Sequence, residues 1–499
     1  MGRERRTGGP FSFGRGRVWL LGMIFGALLA TSCGDESVDS SPPKGPFSLV
    51  DTNFSPESLI FPDDFAVQPL VAEGDIVKAE WSESAGQVKA EFAFLAYLPL
   101  GASATHGILW THHRTAVPDK ILGDGGGATV LEVYRDSSAG WRTVGYPYAV
   151  DFNPVGGTLR NGGGTVTPWG TVLVAETSEP DGPQWLRTEG QIRDTAEAGA
   201  WARWKNYGWQ VEVDVKSRRA GEKRYALGRF QHAGSLIMSD ERTVYLLDGA
   251  TPGTFCKFVA DAPRDLSAGR LYAYRQSPDG LSGTWISLGT NRDTLFKARQ
   301  FAQQDSATLF LGLTDLIQLP DGRLLISERG GDSVACGTAL RRGGQLALHL
   351  RDFLRANDTL HDPQGRILRF DPVTDRLEVL LAGGTDPQNR GQEFSHPGYL
   401  ALDSLRNRLV IHEDNFPREG TRKRLRRVNE VYLLDLAPDE PQISDLRRLL
   451  IAPRGSSISG GAWNSDCSTY FFNLQHPDRG NPPPYNRSGT FALTGWRDQ

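Results

Sequence analysis

The chain has 499 residues, with 57 glycines, 30 prolines and 12 tryptophans, and a formal net charge of −4. Such glycine and proline content argues for many short strands joined by turns and against a helical bundle. The slight negative charge offers no basic field for nucleic acid, and the length exceeds what one small core organises while suiting a large closed β architecture.

The first element is a targeting segment. Arg3, Arg5, Arg6, Arg15 and Arg17 make a basic opening, and residues 18–30 form an apolar run too short to span a bilayer comfortably. Ala30-Thr31-Ser32-Cys33 then resembles a bacterial lipoprotein cleavage box, its leucine displaced by one position to Leu29. Residues 1–32 are therefore read as a lipoprotein signal peptide and Cys33 as the lipidated start of the mature chain. Residues 33–46, polar and proline-containing, read as a flexible tether. An ordinary cleaved signal with a chance cysteine is the alternative. The expected location is the bacterial cell envelope, reached by export and held through the lipid anchor. The other cysteines, Cys256, Cys336 and Cys467, lie far apart, which allows at most one disulfide and shows no zinc spacing.

Residues 47–490 are expected to form one all-β domain. Strand-like runs at 172–176, 209–215, 243–248, 270–274, 323–327, 366–371, 408–412, 430–436 and 469–473 are rich in β-branched, leucine and aromatic residues between turn residues. Several open alike, as Gly269-Arg270-Leu271, Gly322-Arg323-Leu324, Gly365-Arg366-Ile367 and Asn407-Arg408-Leu409, which reads as turn residue, solvated cation and buried strand. Comparable strands recur roughly every forty residues, the spacing of propeller blades. On this pattern alone a β-propeller leads and a large β-sandwich or two-domain β protein remains open. Helical spacing at 185–204 and 346–354 predicts two short helical insertions.

The most specific stretch is Asn161-Gly162-Gly163-Gly164, followed by Thr167-Pro168-Trp169-Gly170-Thr171 and a strand ending at Glu176. Three glycines allow close approach of backbone or ligand, since no Cβ intervenes. Tyr207-Gly208-Trp209, Leu227-Gly228-Arg229-Phe230-Gln231-His232, and Phe255-Cys256-Lys257-Phe258-Val259 follow in order. Ser459-Gly460-Gly461-Ala462-Trp463-Asn464-Ser465-Asp466 leads into Phe472-Asn473-Leu474-Gln475-His476-Pro477. Together these blocks resemble the family of PhoX-type alkaline phosphatases over most of the mature chain. The resemblance implies a six-bladed propeller with calcium and iron at one mouth, acids and a cysteine as ligands, arginines on phosphate, and phosphomonoester hydrolysis. Hard calcium requires many converging oxygens, and clustered cations neutralise ester oxygens.

Several positions depart from that pattern. The family's iron-ligating cysteine falls on Gly162, a second acid after Glu176 on Thr177, a glutamate on Ala233, and an Arg-x-Glu element near 311–314, where neither charge is present. The acids left as candidate metal ligands are Glu176, Asp315, Glu328, Glu413 and Asp414, which imply calcium and put iron in doubt. Each also has a structural reading, as a rim acid or a turn. His232 and His476 read as buried, hydrogen-bonded histidines rather than ligands. His112 and His113, adjacent on a strand, point to opposite faces and so do not share a site. Arg418 and Arg422, in a basic run after Glu413-Asp414, are candidate phosphate contacts or a solvated loop. Two functions stay open: a calcium-dependent phosphomonoester hydrolase with an altered metal site, or a catalytically silent, calcium-stabilised binding propeller. The expected partners are a small phosphorylated substrate or another ligand and a membrane through the lipid anchor, with no nucleic acid and a monomeric state.

Overall fold

The computed structural model describes residues 56–136, 139–188, 202–385, 393–415 and 428–496. Six antiparallel sheets carry the fold. Blade 1 begins with the strand Phe92–Pro99, blade 2 with Asn161–Val166, blade 3 with His232–Ile237, blade 4 with Leu313–Gln318, blade 5 with Pro397–Asp403 and blade 6 with Ser457–Trp463. These first strands meet their neighbours in a closed ring around a central channel, and later strands step outward. The ring is locked by chain ends: Ala66–Ala72 pairs antiparallel with Gly489–Thr494 as the outermost strand of blade 6. Of the open sequence-based alternatives, the six-bladed propeller is the one formed.

All nine expected strands lie on observed ones, from Thr171–Glu176 to Thr469–Gln475. The blade repeat is longer than the expected forty residues, because first strands begin 60 to 84 residues apart. Insertions between strands account for this, such as the helices Ala298–Gln304, Gly337–Arg342 and Leu348–Ala356. The last of these fulfils the helix expected at 346–354. Of the insertion at 185–204, Pro183–Thr188 is helical and 189–201 lies outside the described residues.

Period-two alternation builds the core. Along the second strand of blade 5, Leu409 and Ile411 pack toward blade 4, while Val410 packs toward blade 6. In blade 6, Tyr470 and Phe472 face blade 5, and Phe471 faces blade 1. Every pair of neighbouring blades is thus joined by its own apolar layer, which explains strands that are buried along their whole length. Each fully buried leucine or phenylalanine adds about 1.5–3 kcal/mol to this cohesion.

The innermost strands obey a different constraint. A Cβ at Gly163 would stand 1.7 Å from the carbonyl oxygen of Ala233 in blade 3, and one at Gly460 would stand 2.1 Å from that of Ala93 in blade 1. Glycine is needed there because the backbones of adjacent blades converge on the axis. The close approach expected of the three-glycine turn is therefore made to the next blade.

Candidate active site at the channel mouth

At one end of the channel, the second strand of each of four blades finishes on a carboxylate: Glu176, Asp248, Glu328 and Glu413, all fully buried. Their oxygens tie backbone together. Glu176 accepts from the N–H groups of Leu159 at 2.9 Å, Gly208 at 3.1 Å and Trp209 at 3.0 Å, and pairs with buried Lys223 at 3.2 Å. Burial pushes its pKa up, against Lys223 and these N–H groups. Glu328 accepts from Leu311 N–H at 2.8 Å and faces His349 at 2.8 Å and Arg366 at 3.3 Å. Burial works to raise its pKa, but His349 and Arg366 hold it below the usual value. Glu413 accepts from Ser395 N–H at 2.9 Å and Glu430 N–H at 3.0 Å. Asp248 accepts from Ala250 N–H at 3.2 Å and pairs with Arg299. In blades 2, 4 and 5 the acid joins its own strand end to the segment entering the first strand. In blades 2 and 5 it also reaches the start of the third.

In blades 1 to 5 the residue after the second strand turns to the channel. Arg114, Thr177, Gly249, Arg329 and Asp414 line one cavity of about 50 Å³ together with Gly162, Gln231, Ala233, Leu313, Thr314, Gly398 and Tyr399. Among the described residues, two guanidinium groups and one carboxylate are its only formal charges. Arg329 stands 3.8 Å from Asp414, a loose pairing, and Asp414 also accepts from the Ser457 hydroxyl at 3.2 Å. Tyr399 carries a hydroxyl whose pKa burial raises well above its ordinary value, against the pull of Arg114.

The five acids expected as ligands are therefore separated. Asp414 alone lines the mouth cavity. Glu176, Glu328 and Glu413 point one register away from it, into the blade ends, where backbone N–H groups occupy their oxygens. Asp315 lies farther down the channel, accepting from Leu316 N–H at 2.9 Å and from Leu400 N–H of blade 5 at 3.0 Å. Among the described residues, no three His, Cys, Asp or Glu side chains are grouped to hold a metal ion. Cys33, Arg418 and Arg422 lie outside the described residues.

His232, His112 and His113 are buried in structural hydrogen bonds, whereas His476, expected to be buried, is only half-buried. His232 donates through Nε2 to the Gly228 carbonyl at 2.9 Å and accepts at Nδ1 from Gln210 at 3.1 Å. His112 donates to the Gly163 carbonyl at 2.9 Å, while His113 donates to Ala90 at 3.2 Å and accepts from Thr129 at 2.7 Å. Burial lowers all three pKa values to about 3, which keeps the rings neutral. Of the cations expected to turn outward at hairpin entries, Arg366 is buried against Asp362 and Glu328.

The model of the family "Alkaline phosphatase PhoX" matches residues 47–478. The chain belongs to the PhoX alkaline phosphatase family. Its fold is similar to the structure of Pseudomonas fluorescens PhoX in complex with vanadate, a transition state analogue. That likeness has a TM-score of 0.69 and 18% identity, over 90% of this chain and 97% of that one. Weaker likenesses are a Dyadobacter fermentans protein of unknown function (TM-score 0.40, 9% identity, 87% and 99% covered) and Trypanosoma rangeli sialidase (0.40, 8%, 88% and 59%). No protein of curated function matches the sequence.

PhoX enzymes are metal-dependent, so the mouth can be tested for fit. Gly162, Thr177, Ala233 and Thr314, at or beside the positions where the family places ligands, all line the cavity, and none offers a carboxylate or thiolate. Gly162 is also closed to substitution: an added Cβ would stand 2.3 Å from the Thr177 methyl. That methyl is fixed, because the Thr177 hydroxyl donates to the Arg160 carbonyl at 2.7 Å. Calcium takes six to eight oxygens, usually with several carboxylates. Two arginines and one acid present the opposite charge balance, so the described residues do not fit the family's metal cluster.

Proposed function

We propose that this chain recognises the phosphoryl group of a small phosphorylated molecule at the channel mouth, with Arg114 and Arg329 supplying the positive charge. One observation carries the reading: the residues at the family's lost ligand positions and these two arginines line the same cavity. Guanidinium forks match phosphate oxygens in two parallel hydrogen bonds and stay charged at any working pH. Tyr399, Thr177 and Thr314 share the same wall, and Asp414 stands 3.8 Å from Arg329. The chain's own residues thus bind and orient an oxyanion, while nothing described activates a water. The test is calorimetric titration of inorganic phosphate and 4-nitrophenyl phosphate in the presence of chelator. Binding that survives chelator and is lost in Arg114→Met and Arg329→Met supports the reading, whereas binding only with added calcium overturns it.

A second reading, calcium-dependent phosphomonoester hydrolysis, rests on Asp414, the one carboxylate at the mouth among the described residues, and on family membership. Turnover of 4-nitrophenyl phosphate that requires calcium and vanishes in Asp414→Asn would establish it in place of the first. The same proposal places the propeller at the cell envelope, anchored through Cys33. Mass spectrometry of the mature N-terminal peptide tests this, with an acylated Cys33 expected. Among the described residues no helix is long and apolar enough to cross a membrane.

A further inference from the structure

Among the described residues Asp414 is the only acid lining the mouth cavity, and its two oxygens are used differently. Oδ1 accepts from the Ser457 hydroxyl at 3.2 Å. That hydroxyl accepts in turn from Asn429 Nδ2 at 3.0 Å, so its single proton is directed to Asp414. Oδ2 makes no hydrogen bond with a described residue, since Arg329 stands 3.8 Å from it, beyond hydrogen-bond reach. The Asp414 side chain is only 5% exposed, yet Oδ2 is not sealed from solvent. It is open to the cavity that Asp414 lines. The cationic donors of the cavity are also uncommitted. The Arg114 guanidinium forms no hydrogen bond or ion pair with a described residue, and that of Arg329 has only the loose contact with Asp414. A volume of about 50 Å³ holds roughly three to five water-sized groups, the size of one four-oxygen anion. So small a space brings both guanidinium groups and the free carboxylate oxygen to the same ligand.

We propose that Asp414 makes the mouth selective for an oxyanion that carries a proton, so that it takes hydrogenphosphate or the monoanion of a phosphomonoester and refuses sulfate. The inference rests on the reading of the mouth as a phosphoryl site and narrows it. A carboxylate oxygen only accepts hydrogen bonds, and so does every oxygen of a fully ionised oxyanion. Such an anion, drawn in by Arg114 and Arg329, meets Oδ2 lone pair against lone pair, and the repulsion offsets the attraction. A ligand with one P–OH group donates that proton to Oδ2 in a charge-assisted hydrogen bond. Its remaining oxygens accept from the guanidinium N–H groups. Sulfate has no proton to give near neutral pH. Inorganic phosphate keeps at least one throughout the neutral range, while a phosphomonoester loses its last at about pH 6.

The test is calorimetric titration of the full chain, with chelator present, by inorganic phosphate and by sulfate at pH 7.5. Phosphate is expected to bind at least about tenfold tighter, the margin of a charge-assisted hydrogen bond. Asp414→Asn, whose amide can donate to an ionised oxygen, should close that gap by admitting sulfate. If that variant fails to fold, the parent titrated with 4-nitrophenyl phosphate at pH 5 and pH 8 keeps the test decisive. Its affinity should fall at least about tenfold at pH 8, where the monoanion is scarce, and that of inorganic phosphate should fall less. Sulfate bound as tightly as phosphate, a gap that persists in Asp414→Asn, or equal affinity for 4-nitrophenyl phosphate at the two pH values would each overturn the proposal and leave the phosphoryl reading standing. Failure of the parent to bind phosphate overturns both.

Discussion

Gly162 and Thr177 act as one unit at the residue scale. The threonine hydroxyl is committed to the Arg160 carbonyl, which leaves its methyl on the space a side chain at 162 would need. Gly162→Cys is therefore expected to lower stability by about 1–3 kcal/mol, the usual range for forced overpacking. Adding Thr177→Ser should recover most of it, as read from urea melts. Neither variant should take up iron in metal analysis. Asp315 supplies a pH dependence. Burial pushes its carboxyl up to about 7, against the Leu400 and Leu316 N–H groups. Between its unfolded value near 4 and that folded value, the folded chain holds a proton the unfolded chain has lost. The associated stability is complete below about pH 4 and disappears as pH rises through 7. Asp315→Asn should accordingly gain on the parent by roughly 1–3 kcal/mol more at pH 8 than at pH 4, measured by urea melts at both. The absent ligands could be read from motif positions alone. Arg114 and Arg329 could not, because the last strand residue and its successor face different environments and only the three-dimensional register says which one meets the channel.

The strand-end acids are the recurring device at the scale of elements. Glu413 satisfies the buried N–H of Ser395, in the segment entering the first strand of blade 5, and the part-buried N–H of Glu430 on its third strand, so Glu413→Ala takes the carboxylate from both and should cost about 2–4 kcal/mol in a urea melt. Glu413→Gln keeps an acceptor and should cost less. Phosphate affinity at the mouth should be unaffected in Gln, an outcome a ligand role would not give. Legibility of elements in the sequence followed their place in the blade. Second and third strands pack between two apolar layers and carry the branched and aromatic residues that announce a strand, while an outermost strand such as Arg219–Lys223 does not. First strands such as Asn161–Val166 and Ser457–Trp463 are built of small residues, because convergence on the axis excludes side chains. None of the nine expected strands is a first strand, although Phe92–Pro99 in blade 1 is as aromatic and apolar as the strands that were expected. Variable insertions between strands also blurred the repeat below recognition of its true length.

The molecule as a whole depends on one closure. The strand Ala66–Ala72 completes blade 6, and without it Gly489–Thr494 becomes an open edge. A chain begun at Pro56 is expected to melt cooperatively like the parent, and a chain begun at Glu73 to lose cooperative unfolding, as followed by circular dichroism. The six-fold architecture was legible in the sequence chiefly through family motifs. The closing pairing was not, since it joins segments from opposite ends of the chain and leaves no local mark. It does set a timetable for folding. Ala66 and Thr494 bond across 428 positions. At synthesis rates of about 5–20 residues per second, the early strand waits roughly 20 to 90 s for its mate. Throughout that interval it is an unpaired β segment, which places the chain's greatest exposure to mispairing before its last blade exists.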